Sequence, residues 1–419
     1  MFKPLWGAAT SAHQVEGGNH WNDWWAWEQA GKVTEPSGLA CDHYHRFRED
    51  FHLARSLGHT AHRFSLEWSR LEPSEGKWNE EAFCHYDEVF DALESVGLEP
   101  VVTLHHFTNP LWFAEQGGWL HEGGSKKFST YVERVAQRYG RRVKFWITLN
   151  EPLIFIYQGF LLGRWPPGEK SLEKCFRVLR ELIQAHIRAY EILHTESKNR
   201  ECWVSLAHHM TALSPCRKNS ILDRFTIWLR NGFLNRLIFD SLLSGFLFYP
   251  GIFCEKLPAK KTLDFLGVNY YTRDFIRFGG FGGLNPFGIV CPKDHHLHER
   301  GEMNDLSWEI YPRGIREVVS SLARYKLPVV VTENGVCTSD DRSRQRFIET
   351  HLEALAGARA AGVPLGGYFY WSLVDNFEWA EGFKPRFGIV EVDYATQRRT
   401  TRESAKTLKN GCGKIFGTT

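Results

Sequence analysis

Thr148-Leu149-Asn150-Glu151-Pro152 and Thr332-Glu333-Asn334-Gly335 decide how this chain folds, because each stands where an apolar β-run stops. Val143-Lys144-Phe145-Trp146-Ile147 leads into the first motif and Pro328-Val329-Val330-Val331 into the second, and both runs have the composition of buried parallel strands. A glutamate at the C-terminal tip of such a strand points into the mouth of an α/β barrel. Working outward, strand-like runs recur at about 5–15, 59–66, 99–105, 143–149, 202–208, 263–270, 328–332 and 365–372. Helical patterns lie between them, as in Phe128, Tyr131, Val132, Val135 and Tyr139, which form one apolar stripe. Eight alternations without a Pro- or Ser-rich linker predict one closed (β/α)₈ (TIM) barrel over residues 1–419, with long βα loops forming its rim. The Gly- and Phe-rich stretch 278–291 has neither period and reads as a long loop after the sixth strand.

Composition excludes several alternatives. Hydrophobic residues at 43% and charged residues at 24% describe an ordinary globular protein with ample core. A net charge of +2 gives no reason to expect nucleic acid or a charged membrane as a partner. The apolar stretch 221–253 is interrupted by Asp223, Arg224, Arg230, Arg236 and Asp240, so an amphipathic helix is expected there and not a membrane span. The nine cysteines are scattered and include no C-x-x-C pair, which suggests neither a disulfide framework nor a zinc site. A reducing compartment fits them best. The first residues lack the zones of a signal peptide, and a cytoplasmic location is expected. His295, His296 and His298 crowd together without carboxylate companions and read as a solvated cluster, so no metal and no cofactor are expected.

Polar and aromatic residues gather at the ends of the strand runs. The first ends near His13-Gln14-Val15-Glu16-Gly17, the second contains Arg63, the third gives His105-His106, the sixth gives Asn269-Tyr270-Tyr271, and the eighth runs from Trp371 to Trp379. Amide, imidazole, guanidinium and carboxylate groups over aromatic faces suit a sugar, which presents hydroxyls at its edge and C–H groups on its faces. Two facing carboxyls complete the set, since cleaving a glycosidic bond calls for one protonated and one ionised group.

With these residues in view, the chain resembles glycoside hydrolase family 1, the β-glucosidase family, over essentially its whole length. The two glutamate motifs match its acid/base and nucleophile motifs, 182 positions apart (333 − 151). Arg63-Phe64-Ser65-Leu66-Glu67-Trp68-Ser69-Arg70, Thr103-Leu104-His105-His106-Phe107, Asn269-Tyr270-Tyr271, Trp308-Glu309-Ile310-Tyr311-Pro312 and Arg386-Phe387-Gly388-Ile389-Val390 match further segments in order. The resemblance implies a retaining β-glycosidase acting on terminal β-D-glycosyl residues, β-D-glucosides first and galactosides or fucosides besides. Glu151 would be the acid/base, staying protonated near neutral pH, and Glu333 the ionised nucleophile, roughly 5–5.5 Å away. Arg63 and Tyr271 would orient Glu333. Gln14, His106, Asn150, Glu378 and Trp379 would bind the sugar, with Trp371 as its floor and Trp308 as platform for the leaving group. Asn269 and Phe387 belong to the same set through their matching segments. Gln14 and Glu378 are expected to accept from the far hydroxyls, and a fixed charge on Glu378 would repel a 6-phosphate, leaving an unphosphorylated O-glycoside as substrate. The family's commoner Tyr-His-Trp-Asp-Leu is replaced by His105-His106-Phe107-Thr108-Asn109, a departure expected to lie at the rim. A barrel that binds sugar without cleaving it is disfavoured by the presence of both glutamates, and transfer to another acceptor shares the same intermediate as hydrolysis.

Overall fold

A computed structural model describes residues 2–198, 200–280, 287–292, 294–296 and 299–417. Eight parallel strands close into a barrel in chain order: β1 (Leu5–Ala9), β2 (Ala61–Ser65), β3 (Glu99–His105), β4 (Phe145–Asn150), β5 (Trp203–His209), β6 (Leu266–Asn269), β7 (Val329–Asn334) and β8 (Leu365–Trp371). β8 returns to pair with β1, so no barrel strand presents a free edge. Each of the eight runs read from the sequence overlaps one of these strands, and β4, β5 and β7 continue one or two residues past the read ends, to Asn150, His209 and Asn334.

The helices His43–Ser56, Glu80–Ser95, Gly124–Tyr139, Leu172–Glu196, Leu237–Ser244, Pro312–Leu322, Asp341–Ala360 and Ser404–Phe416 follow the strands in turn. The stripe of Gly124–Tyr139 is buried as its spacing requires, with Phe128, Tyr131, Val132, Val135 and Tyr139 all inaccessible. One apolar cluster fills the layer between barrel and helices. A second fills the barrel itself, where Ala9, Ala61, Val101, Ile147, Ala207, Val330 and Phe369 meet beneath Trp371 and Phe387. Among the described residues no helix is long and apolar enough to cross a membrane.

Three segments depart from the sequence reading. The first run is a strand only to Ala9, and Ala12–Val15 is a helical turn whose first backbone N–H donates to Ser65 Oγ at 2.7 Å. Segment 221–253 is not one helix. Ile221–Asn231 and Leu237–Ser244 are joined by a wider turn at Gly232–Arg236, Gly245 (φ +80) stops the second helix, and Phe246–Tyr249 pairs with Phe253–Lys256 as a hairpin. Within 278–291, Ile289–Val290 is a short strand paired with Arg273–Arg277, which in turn pairs with Ala212–Pro215; residues 281–286 lie outside the described set.

Asn79 caps the helix Glu80–Ser95, its Oδ1 accepting from the backbone N–H of Glu81 and Ala82 at 3.1 and 3.2 Å. Replacing it with Ala strands both donors and should lower unfolding stability in urea by about 1 kcal/mol. Turnover at low temperature should be unchanged, because this helix end lies outside the barrel mouth.

Candidate active site

Both glutamates stand where a strand loses its register. The pairing of β4 with β5 shifts between Ile147 and Asn150, and that of β7 with its neighbours shifts after Val331. Such irregularities re-aim the side chains at a strand tip. Glu151 then takes a left-handed conformation (φ +43) just ahead of the helix Pro152–Ile156. Gly335 fixes the turn after Glu333 for a different reason: a Cβ there would meet the Trp371 carbonyl oxygen at 1.9 Å.

Arg63 on β2 joins the two motifs. Its Nη1 donates to Glu333 Oε1 at 2.5 Å and to the Thr332 carbonyl at 3.0 Å, its Nη2 to Asn150 Oδ1 at 2.7 Å, and its Nε to Thr103 Oγ1 at 3.1 Å. Tyr271 donates its hydroxyl to Glu333 Oε2 at 2.6 Å. Asn269 takes a bond from Thr332 Oγ1 at 2.7 Å and donates to Asn150 Oδ1 at 3.1 Å and to Glu151 Oε1 at 2.7 Å. A continuous path of hydrogen bonds therefore runs from Glu333 through Arg63, Asn150 and Asn269 to Glu151. Because Asn150 Oδ1 accepts twice, its Nδ2 faces His106 Nε2 at 3.1 Å and donates to it. The acceptor nitrogen fixes the tautomer with Nδ1–H, and burial keeps His106 neutral.

The sugar-facing residues expected from the sequence come together around this network. Trp371 and Trp379 stack near His106, with centroids 5.8 and 6.1 Å away. Trp308 meets the Tyr271 ring edge-on at 5.6 Å, and Phe387 lies 6.2 Å from Trp308. Gln14 is also tied into the protein. Its Oε1 accepts from Ser11, and its Nε2 donates to the Phe377 carbonyl at 2.8 Å, to Asn376 Oδ1 at 3.2 Å and to Glu378 Oε2 at 3.4 Å. Both ends are engaged in tying the segment 376–378 to the first helical turn. The His105–Asn109 segment is misplaced in the sequence reading: His105, His106, Phe107, Thr108 and Asn109 are buried, with Asn109 held by Trp119, His105 and Asp23. It is an inner wall and not an exposed rim.

The three carboxyls of the site are shifted in different directions. Burial, the largest influence, pushes Glu333 up to about 7; the Arg63 charge opposes this and the Glu151 charge adds to it. Burial also raises Glu151, but His209, Asn269 and Arg63 outweigh it and leave Glu151 below the ordinary carboxylate value. His209, the last residue of β5, lies with Nδ1 3.4 Å from Glu151 Oε1, and Glu151 raises its pKa in return. It was missed because a histidine at a strand tip carries no pattern, and because the sequence reading ended that strand one residue early. Glu378 is pushed up to about 8 by burial, then by the Glu333 and Glu151 charges. A cavity of about 990 Å³ lies at the opposite end of the strands, lined by Phe2, Leu5, Glu99 and Phe145, and shares no residue with this network.

The glycosyl hydrolase family 1 model matches residues 2–412. The chain belongs to glycosyl hydrolase family 1. It is 32% identical to beta-glucosidase A of Thermotoga maritima over 97% of this chain and 96% of that protein. It superposes on a beta-glycosidase from Pyrococcus horikoshii with TM-score 0.90 and 40% identity, covering 99% of this chain and 94% of that one. A beta-glucosidase from Thermotoga maritima in complex with glucoimidazole superposes with TM-score 0.90 and 30% identity, covering 100% and 99% of the two chains. As a family 1 protein it is an O-glycoside hydrolase and a retaining β-glycosidase.

Tyr271→Phe tests the electrostatics. The lost O–H···O bond holds Glu333 down, so its removal leaves Glu333 with a higher pKa, and an ionised Glu333 is then reached only at higher pH. The acidic limb of the kcat/KM–pH profile should move upward by about one pH unit.

Proposed function

We propose that Glu333 is the nucleophile and Glu151 the acid/base of a double displacement on β-D-glucosides, with galactosides and fucosides as further substrates. The observation that carries this reading is the unequal treatment of the two carboxyls. Both oxygens of Glu333 accept bonds, from Arg63 at 2.5 Å and Tyr271 at 2.6 Å, donors that hold a carboxylate in line for attack. Glu151 accepts at Oε1 alone among the described residues, from Asn269 and His209. Its Oε2 is left to face the glycosidic oxygen.

Above about pH 7 Glu333 is ionised, and the proton needed by the leaving group is held on the His209–Glu151 pair. Glu333 attacks the anomeric carbon, the bond to the leaving oxygen breaks, and that oxygen takes the pair's one proton by way of Glu151, leaving Glu151 ionised and His209 neutral. A covalent glycosyl ester forms on Glu333. Its negative charge is then gone, and Glu151 as base removes a proton from water attacking the same carbon, restoring the starting state. Asn150, held by Arg63 and Asn269, would hydrogen-bond the 2-hydroxyl, a contact that strengthens as positive charge develops on the ring. Trp371 forms the floor and Trp379 the side wall, while Trp308 and Phe387 line the leaving-group side. Asn269 acts by orienting Glu151, and Gln14 by positioning Glu378, which can accept from sugar hydroxyls. An unphosphorylated glycoside remains the proposed substrate. Barrel closure between residues 5 and 371 supports one catalytic domain across 1–419, and nine free cysteines support a reducing, cytoplasmic setting.

Glu333→Ala should cut kcat on an aryl β-glucoside by on the order of 10⁴-fold or more, in a variant that still melts cooperatively, at a temperature lowered by the loss of Arg63's partner. Near-normal turnover in that variant removes the assignment. Glu151→Ala should retain much more activity on an activated aryl glycoside than on cellobiose, and added azide should restore turnover and yield the β-glycosyl azide. An α-azide overturns the retaining mechanism. His209→Asn should show the same leaving-group dependence in weaker form.

A further inference from the structure

Outside the barrel mouth, the fold brings together four side chains that the sequence scatters over 80 positions (296 − 216). The ligand atoms of Cys216, Cys291, His295 and His296 all lie within 4.8 Å of one another. The three-stranded sheet beside the barrel explains the convergence. Its central strand Arg273–Arg277 is flanked by Ala212–Pro215 on one side and Ile289–Val290 on the other, and each flanking strand ends one residue before a cysteine. The Cys216 N–H donates to the Ile276 carbonyl and the Cys291 N–H to the Phe275 carbonyl, both at 2.8 Å. Both thiols are thus fixed by backbone bonds to adjacent residues of one strand. A turn closed by the His295 N–H on the Pro292 carbonyl at 3.1 Å then returns the two imidazoles over them. The His296 ring lies flat on Phe275, centroids 4.3 Å apart and planes 8° apart, with Nε2 3.3 Å from Cys216 Sγ.

We propose that Cys216, Cys291, His295 and His296 form a structural zinc site. Two soft thiolates and two imidazoles are the donor set of closed tetrahedral zinc sites. With Zn–S near 2.3 Å and Zn–N near 2.05 Å, a tetrahedron has N···S edges of about 3.6 Å and an S···S edge of about 3.8 Å. The His296–Cys216 edge is already close to that length, and the remaining atoms need only small side-chain rotations. Cys291 is buried, Cys216 and His296 are half-buried and His295 is exposed, so an ion can enter past His295. Binding one Zn²⁺ displaces one proton from each thiol, two in all, with no change of oxidation state. The ion fastens the connection between β6 and β7 to the chain just after β5. That connection also carries Arg273, which reaches the Glu299 carbonyl and pairs with Glu309 next to Trp308. The zinc therefore braces the leaving-group side of the cleft from behind. His298, grouped with the other two histidines in the sequence reading, lies outside the described residues.

The competing arrangement of the same atoms is a Cys216–Cys291 disulfide, and the experiment separates the two. The full chain is purified without chelator from zinc-supplemented cells, and its metal is measured by mass spectrometry beside the Cys216→Ser/Cys291→Ser variant. About one zinc per chain in the wild type and less than a tenth of that in the variant is expected. Thiols are titrated in denaturant after zinc removal, without reductant. All nine cysteines should react; two fewer, regained on reduction, establishes the disulfide and overturns the proposal. Zinc retained by the variant overturns it equally. Cobalt added to the metal-free wild type should give the strong visible bands of tetrahedral thiolate coordination, a readout that does not depend on how the variant folds. A chelator should lower the wild-type melting temperature by several degrees and leave the variant unmoved.

Discussion

A buried guanidinium holds this active site together. Arg63 is 1% exposed and sits inside a barrel otherwise filled by apolar side chains. Taking a charge out of water costs several kcal/mol unless partners replace the lost hydration. Arg63 has four, on β3, β4 and β7, and one of them is the carboxylate that must attack. Stability and catalysis therefore make the same demand on the barrel mouth: the strands must keep the spacing that lets one planar fork reach all its acceptors. Asn150 and Asn269 extend the network to Glu151, and His106 takes its tautomer from it.

The carboxyls fit this picture through number as well as placement. Glu151, Glu333 and Glu378 share one site with Arg63 and His209, and their mutual repulsion opposes full ionisation near neutrality. Burial and mutual repulsion raise Glu333 and Glu378, whereas Glu151 escapes because His209 stands against it. The protonation needed for glycoside cleavage is a property of the group of five residues, and no member has it alone.

Much of this was readable from the chain. Apolar runs ending in Asn-Glu-Pro and Glu-Asn-Gly announced strand tips bearing carboxyls, since strand periodicity and barrel geometry leave a glutamate there few places to point. All eight strands were found for the same reason. Tertiary pairing was not legible. His209 becomes electrostatically important only through a partner 58 residues earlier in the chain, and the bond from Gln14 to Asn376 spans 362 positions. The segment 221–253 was misread because its apolar content masked Gly245, whose positive φ ends the helix. Cys216 and Cys291 looked unrelated, as the strand that aligns them lies between them in sequence.

The contact at Gly335 bears on how such a barrel can diversify. With no room for even a methyl group between it and the Trp371 carbonyl, the chain after the nucleophile and the chain forming the sugar's floor are in backbone contact. Neither can drift without dragging the other. Variation that alters the floor would also misalign the attacking carboxylate, so a lineage exploring new glycosides is steered away from this seam. Adaptation is channelled into the connections on the far side of the cleft, where a change in shape leaves the reacting atoms in place.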